Sequence, residues 1–189
     1  MTIYLCSGSE EEKLEWFKTI NIAGKVLTDQ ELKNAVFAGS WVSDAKRYFS
    51  KQGCPAYQIG SDYLNGSAIR QEYFETAIRW ISNDQIDDYM GKHQHDDDAQ
   101  ELWDYFVSVI EWVEHTFTNK RTKFMKGVDW GILFNQFKKK KYNPEEIEER
   151  IAELILDDDV TKKSGIYPYI LTGDLKYLSI RLFSDAQKQ

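Results

Sequence analysis

The sequence predicts a mainly α chain, a multi-helix, bundle-like domain with one short β-strand at its front. Apolar residues recur at three- and four-residue intervals in segment after segment, which is the period of one buried helix face. Helix-opening signals stand at the heads of several of these segments, at Ser9, Thr28 and Asn143. The period-two alternation of a strand occurs once, at Thr2–Cys6, and stops at Ser7-Gly8.

Taken in order, Ser9 with Glu12 forms a capping box, and Leu14, Trp16, Phe17 and Ile20 place a helix over residues 10–20. The chain breaks at Asn21–Gly24. Thr28 with Glu31 is a second capping box, opening a helix through Leu32, Ala35 and Val36 that ends at Gly39. Ser40 caps a third carrying Trp41, Ala45, Tyr48 and Phe49. Residues 53–60, with Gly53, Pro55 and Gly60, read as a loop. Ser67 begins a long helix with the stripe Ile69, Tyr73, Phe74, Ala77, Ile78 and Ile81, and 84–91 is a shorter one. The strongest periodicity, Leu102, Phe106, Val109, Ile110 and Val113, marks a central helix from Asp97 to Phe117. After a charged linker, Trp130, Leu133, Phe134 and Phe137 make a helix that runs into Lys138–Lys141. Asn143-Pro144 then opens one to Leu156. Ser184–Gln187 reads as the start of a further helix.

The chain has 189 residues, 42% hydrophobic and 29% charged, with 3 Pro and 11 Gly. That excludes collagen-like and disordered classes, and the length suits a single helical domain over 1–189. The most apolar window, Leu102–Phe117, carries Asp104, Glu111 and Glu114, so no membrane span or membrane partner is expected. The N-terminus lacks the pattern of a signal peptide, and Cys6 and Cys54 make no disulfide framework, so a cytoplasmic location is expected. Aromatic residues make up 14% of the chain, and at helical spacing they read first as core.

Candidate chemistry is sparse. His93, His95 and Asp96–Asp98 are metal-ligand types, but three aspartates ahead of a helix equally satisfy its N-terminal N–H groups and dipole. His115 stands alone. Asp157–Asp159 lacks the glycine and twelfth-position glutamate of a calcium loop. No nucleophile constellation, glycine-rich phosphate loop or CxxC pair occurs, so no catalytic residue, metal site or cofactor is assigned. Net charge is −7, which argues against a surface that tracks phosphates everywhere. Thr118–Tyr142 departs from that balance, holding Lys120, Arg121, Lys123, Lys126, Lys138, Lys139, Lys140 and Lys141 against Asp129 alone. Phe124, Trp130, Phe134 and Phe137 are interleaved with these charges. Lysines that neutralise phosphates beside rings that stack on bases are the usual physics of nucleic-acid contact. The competing reading is a solvated face balanced by Glu145, Glu146, Glu148, Glu149 and Glu153.

Glu11–Gly39, EEKLEWFKTINIAGKVLTDQELKNAVFAG, resembles the pattern Phe-x-x-Ile-Asn-x-x-Gly-x-x-Leu-Thr-x-Gln-Glu-Leu-x-Asn-Ala of a large bacterial family. That family joins a ParB/sulfiredoxin-like N-terminal domain to a helical region and is related to the GmrS half of the GmrSD modification-dependent restriction enzymes. Tyr169–Asp174, Tyr177–Arg181 and Phe183-Ser184 are similar to the stretch that leads into an HNH endonuclease domain in fused members. The family's Asp-Gly-Gln-Gln-Arg motif and the His-Asn-His and zinc-cysteine elements are absent from this sequence. The resemblance therefore implies an internal, non-catalytic helical region of a restriction or phage-defence protein. Residues 1–8 would be the strand remnant of a ParB-like domain, and 175–189 the lead-in to an HNH domain. Its partners would be those two domains and DNA. It also implies that Asn21 and Gly24 lie beside a nucleotide site, although both residue types equally supply left-handed backbone in a turn. Two other readings stand beside it: a stand-alone helical protein-interaction module, and a metal-dependent hydrolase using His93 and His95.

Overall fold

The computed structural model describes residues 27–180, together with Gly8, Ser9, Glu12 and Lys13. Thr2–Cys6, most of the helix expected over 10–20, Asn21, Gly24 and Ser184–Gln187 lie outside the described residues. Ten α-helices form among the described residues: α1 (Asp29–Val36), α2 (Ser40–Phe49), α3 (Pro55–Gly60), α4 (Glu72–Ser82), α5 (Ile86–His93), α6 (Gln100–Thr116), α7 (Thr122–Met125), α8 (Trp130–Phe137), α9 (Pro144–Leu156) and α10 (Ile166–Thr172). The chain is thus mainly helical, as its periodicity demands. Its described β structure is one isolated antiparallel bridge, Val160 with Ile180. No helix of the described residues is long and apolar enough to cross a membrane.

The capping signals read from sequence close as hydrogen bonds. The Ser9 N–H donates to Glu12 Oε2 at 2.8 Å and the Glu12 N–H to Ser9 Oγ at 3.3 Å. Thr28 and Glu31 exchange the same pair at 2.7 and 3.2 Å. At α9, the Glu145 N–H donates to Asn143 Oδ1 at 3.1 Å, with Pro144 at the position where its missing N–H costs nothing.

Four local expectations are corrected. Residues 55–60 are helix α3, because proline is well placed in a first helical turn. Ser40 does not cap α2. Gly39 occupies the cap without a side-chain bond, and the Ser40 hydroxyl donates instead to the Asp96 carbonyl at 2.6 Å. The long helix expected from Ser67 is interrupted at Gln71, whose φ of 68° is left-handed. That side chain explains the break: its carbonyl accepts from Asn34 Nδ2 at 3.2 Å and Ser50 Oγ at 2.6 Å, and its amide donates to Ile69 O at 3.1 Å. These bonds hold a backbone conformation that an unanchored glutamine would leave. His93, expected in a polar connection, ends α5 and is buried.

Contacts group the chain into two compact units, Met1–Tyr57 with Gly66–Trp103 and Gln58–Asn65 with Asp104–Gln189. In the first, Trp41 packs against Phe74 (5.7 Å between ring centres), Tyr89 (5.8 Å) and His93 (6.1 Å), and Tyr48 stacks on Trp103 at 5.0 Å. Gln30 and Asn34, polar positions of the Leu-Thr-x-Gln-Glu-Leu-x-Asn-Ala stretch, are buried here. The Gln30 amide donates to Asn34 Oδ1 at 2.9 Å and to the Met90 sulfur at 3.4 Å. Buried amides of this kind hold one packing arrangement when bonded and destabilise it when not.

The second unit centres on three rings in mutual edge or tilted contact, Phe117, Trp130 and Tyr167, with centres 5.2–5.5 Å apart. All three are essentially inaccessible, and such pairs add about 0.5–1.5 kcal/mol each beyond the area they bury. The Trp130 indole donates to the Met125 carbonyl at 3.1 Å, which ties α7 to the start of α8.

Candidate nucleic-acid interface

All eight basic residues singled out between Thr118 and Tyr142 lie in the second unit, and the structure divides them into two groups. Lys120 and Arg121 are committed to internal partners. Lys120 Nζ lies 3.0 Å from Glu114 and 3.7 Å from Asp62 and 5.6 Å from the centre of the Tyr63 ring. The hydrogen bond to Glu114, more than any other influence, raises the Lys120 pKa above that of an ordinary lysine. The buried Tyr63 hydroxyl also donates to Glu114, at 2.9 Å, and burial first, then this carboxylate, pushes its pKa up to about 12.

Arg121 is held more deeply. Its guanidinium donates to Glu148 Oε2 at 2.5 Å, with side-chain exposures of 21% and 10%. The Glu148 carboxylate also accepts from the Asn119 backbone N–H at 3.1 Å and its side-chain amide at 2.9 Å. Burial works to raise the Glu148 pKa, but the donors from Asn119 and Arg121 outweigh it and leave the carboxyl below the ordinary range. The competing reading of a balanced face therefore holds at one point, Arg121 with Glu148. Glu146 accepts from Asn143 and Glu153 from Arg150.

Lys123, Lys126 and Lys138–Lys141 make no ion pair among the described residues. Lys126 is half-buried and the other five are exposed. Lys138–Lys141 follow directly on the last turn of α8: the Lys138 N–H donates to Phe134 O and the Lys140 N–H to Phe137 O, each at 2.9 Å. Cations there suit the negative end of the helix dipole by about 0.3–1 kcal/mol each. Lys138 Nζ sits 4.8 Å from the centre of the Phe134 ring and Lys140 Nζ 5.3 Å from that of Tyr142. Among the described residues, Lys139 and Lys141 have neither ring nor carboxylate.

The interleaved aromatics behave differently from the stacking platform their spacing suggested. Trp130 is fully buried in the three-ring cluster, and Phe134, 8% exposed, meets Tyr105 and Trp112 edge-on at 5.8 Å. Phe124 is half-buried with Lys123 Nζ 5.7 Å from its ring centre, and Phe137 is half-buried.

A cavity of about 180 Å³ lies where Gly127–Leu133 meets Lys162, Ser164 and Tyr177. It is smaller than the roughly 300–1,000 Å³ of ordinary small-molecule sites. An open groove at the start of α9 is lined by Asn119, Asn143, Glu145 and Glu148, and its carboxylates disfavour phosphate.

His93 Nδ1 lies 2.6 Å from Asp96 Oδ2, with the Tyr89 ring centre 4.3 Å away. This is a buried histidine satisfied by one carboxylate. Among the described residues, no group of three or more His, Cys, Asp or Glu side chains is placed to hold a metal ion. Asp98 instead accepts from the Gln100 N–H at 3.0 Å, at the start of α6. Sequence reasoning named Arg121 and Glu148 but missed their cluster with Asn119, since Glu148 lies 27 residues from Arg121 and 29 from Asn119 and no motif joins them.

Compared with protein-family models, with curated proteins and with solved structures, the chain matches none.

Proposed function

We propose that this chain is the non-catalytic helical region of a GmrS-like restriction or phage-defence protein of the bacterial cytoplasm. It would connect a ParB-like, nucleotide-handling domain to an HNH-type endonuclease domain and contact DNA without reading its sequence. The family part of this reading rests on the Glu11–Gly39 resemblance. The DNA part is carried by one observation: in a chain of net charge −7, Lys123, Lys126 and Lys138–Lys141 make no ion pair among the described residues. Unpaired lysines before and after a packed helix supply positive potential at little structural cost, and lysines address phosphates and not base edges.

The test is fluorescence anisotropy of the full chain with labelled DNA at low salt, beside the variant K138Q/K139Q/K140Q/K141Q. Non-specific contact has a Kd of about 10⁻⁴–10⁻⁶ M, and each neutralised phosphate adds roughly 0.9 to the salt slope. The variant should bind more weakly to all sequences, with a slope lower by up to about 3.6. An unchanged slope assigns these lysines to a solvated face.

The stand-alone interaction module is favoured by a different observation, the exposed apolar residues Leu156 (82%), Leu175 (56%) and Ile180 (40%) in the second unit. Absence of DNA binding at low salt, with association of the chain with another protein through these residues, selects that reading. The genomic context adds an independent check: the Asp-Gly-Gln-Gln-Arg and His-Asn-His motifs in frame on either side of the coding segment support the connecting region.

A further inference from the structure

We infer that the cavity between the start of α8 and residues 162–168, in the second unit, is a binding site for a small organic carboxylate with a compact apolar body, about the size of a single ring. Its lining has two sides. Val128, Ile132, Leu133 and Pro168 make the apolar one, with Val128 and Leu133 buried. Lys162, Ser164 and Tyr177 make the polar one. Among the described residues the Lys162 ammonium has no ion pair, and neither the Ser164 nor the Tyr177 hydroxyl has a hydrogen bond. An apolar surface with a few uncommitted polar groups beside it is the usual composition of a small-molecule site.

Size and charge select the ligand. The cavity holds about 180 Å³, and an apolar cavity of about 150 Å³ takes benzene, so there is room for one ring with a carboxylate and for little more. Its far wall is built in advance. The Lys162 N–H donates to Leu178 O at 3.2 Å, and Gly165 lies so close to the Tyr177 backbone that a Cβ there would meet its carbonyl oxygen at 1.7 Å. The two turns are therefore already closed on each other, and a preformed site loses less freedom on binding. One ammonium and two hydroxyl donors match one carboxylate. A phosphate dianion would bring a second negative charge to a lining that also holds Asp129, and an organic cation would meet Lys162.

The full chain, isotope-labelled, is titrated with benzoate, benzyl alcohol, benzylamine and inorganic phosphate and followed by backbone amide shifts. Benzoate should bind saturably, with its shifts centred on Val128–Leu133 and Lys162–Gly165. Benzyl alcohol should bind more weakly at the same residues, and benzylamine and phosphate should not bind there. Lys162 is exposed, so K162Q should keep its helical circular dichroism, weaken benzoate about two- to fivefold and leave benzyl alcohol unchanged. Ser164→Leu, which fills the cavity, should abolish both. Benzylamine or phosphate binding the cavity as tightly as benzoate, or equal benzoate affinity in K162Q and the parent, overturns the carboxylate assignment. No saturation with benzoate, or benzoate shifts confined to Lys138–Lys141, overturns the site itself, and neither result bears on DNA contact.

Discussion

Replacing Glu148 by glutamine tests whether the cluster at the start of α9 is what fixes the 117–122 loop. The substitution keeps the side-chain volume and removes the charge. It leaves the Arg121 guanidinium, 21% exposed, without its carboxylate at 2.5 Å, and it sets an amide NH2 against one of the two Asn119 donors, which bond different oxygens of Glu148. Breaking a buried ion pair at one partner costs about 3–5 kcal/mol. Because Arg121 keeps some contact with water, a loss of about 2–3 kcal/mol is expected here. For a chain of this size that is roughly 4–12 °C in Tm at neutral pH, read by circular dichroism. The pH dependence has a definite sign. The folded-state pKa of Glu148 is depressed, so its stabilisation is fully present above the ordinary glutamate value of about 4.3 and is lost as pH falls through the folded value. The Tm gap between parent and variant should therefore close in acid. Arg121→Ala should cost a similar amount, and the double variant less than the sum. A Tm for Glu148→Gln within about 2 °C of the parent at neutral pH, the equivalent of less than 1 kcal/mol, would show that the pair does not hold the loop.

The lysine run should separate by position. K139Q/K141Q should weaken DNA binding with little change in Tm, whereas K138Q/K140Q should also lower stability by up to about 1 kcal/mol per lost ring contact; equal Tm values for the two pairs would remove the ring contacts from the account. Gly165→Ala should destabilise the second unit by several kcal/mol in thermal melts, because its new methyl would sit 1.7 Å from the Tyr177 carbonyl oxygen, which is backbone and cannot rotate away. A stable Gly165→Ala variant would mean that the 163–165 and 175–178 turns separate easily.

Much of the helical framework was legible in residue order because helix signals are local. The Thr28–Glu31 and Ser9–Glu12 boxes, the Asn143-Pro144 start and the Leu102–Val113 stripe depend on neighbours within a few positions, so spacing alone specifies them. The breaks were harder, and for a physical reason. Gln71 interrupts a periodic stripe through bonds to Asn34 and Ser50, partners that no window around Gln71 contains. The basic stretch was legible as charge and only as charge. Whether a lysine faces water or a carboxylate depends on residues brought in from elsewhere, which is why Arg121 turned inward to Glu148 while Lys138–Lys141 stayed outside. The same holds for the aromatics: their spacing announced rings beside cations, and packing in the second unit decided that Trp130 and Phe134 close the core while Phe124 and Phe137 stay half-buried. The sequence by itself determined most of the helices, the caps at Ser9, Thr28 and Asn143, and the net charge, all but the last set within a turn or two of chain. Tertiary structure decided which charges remain available and which rings are spent, because burial and ion pairing are made between segments.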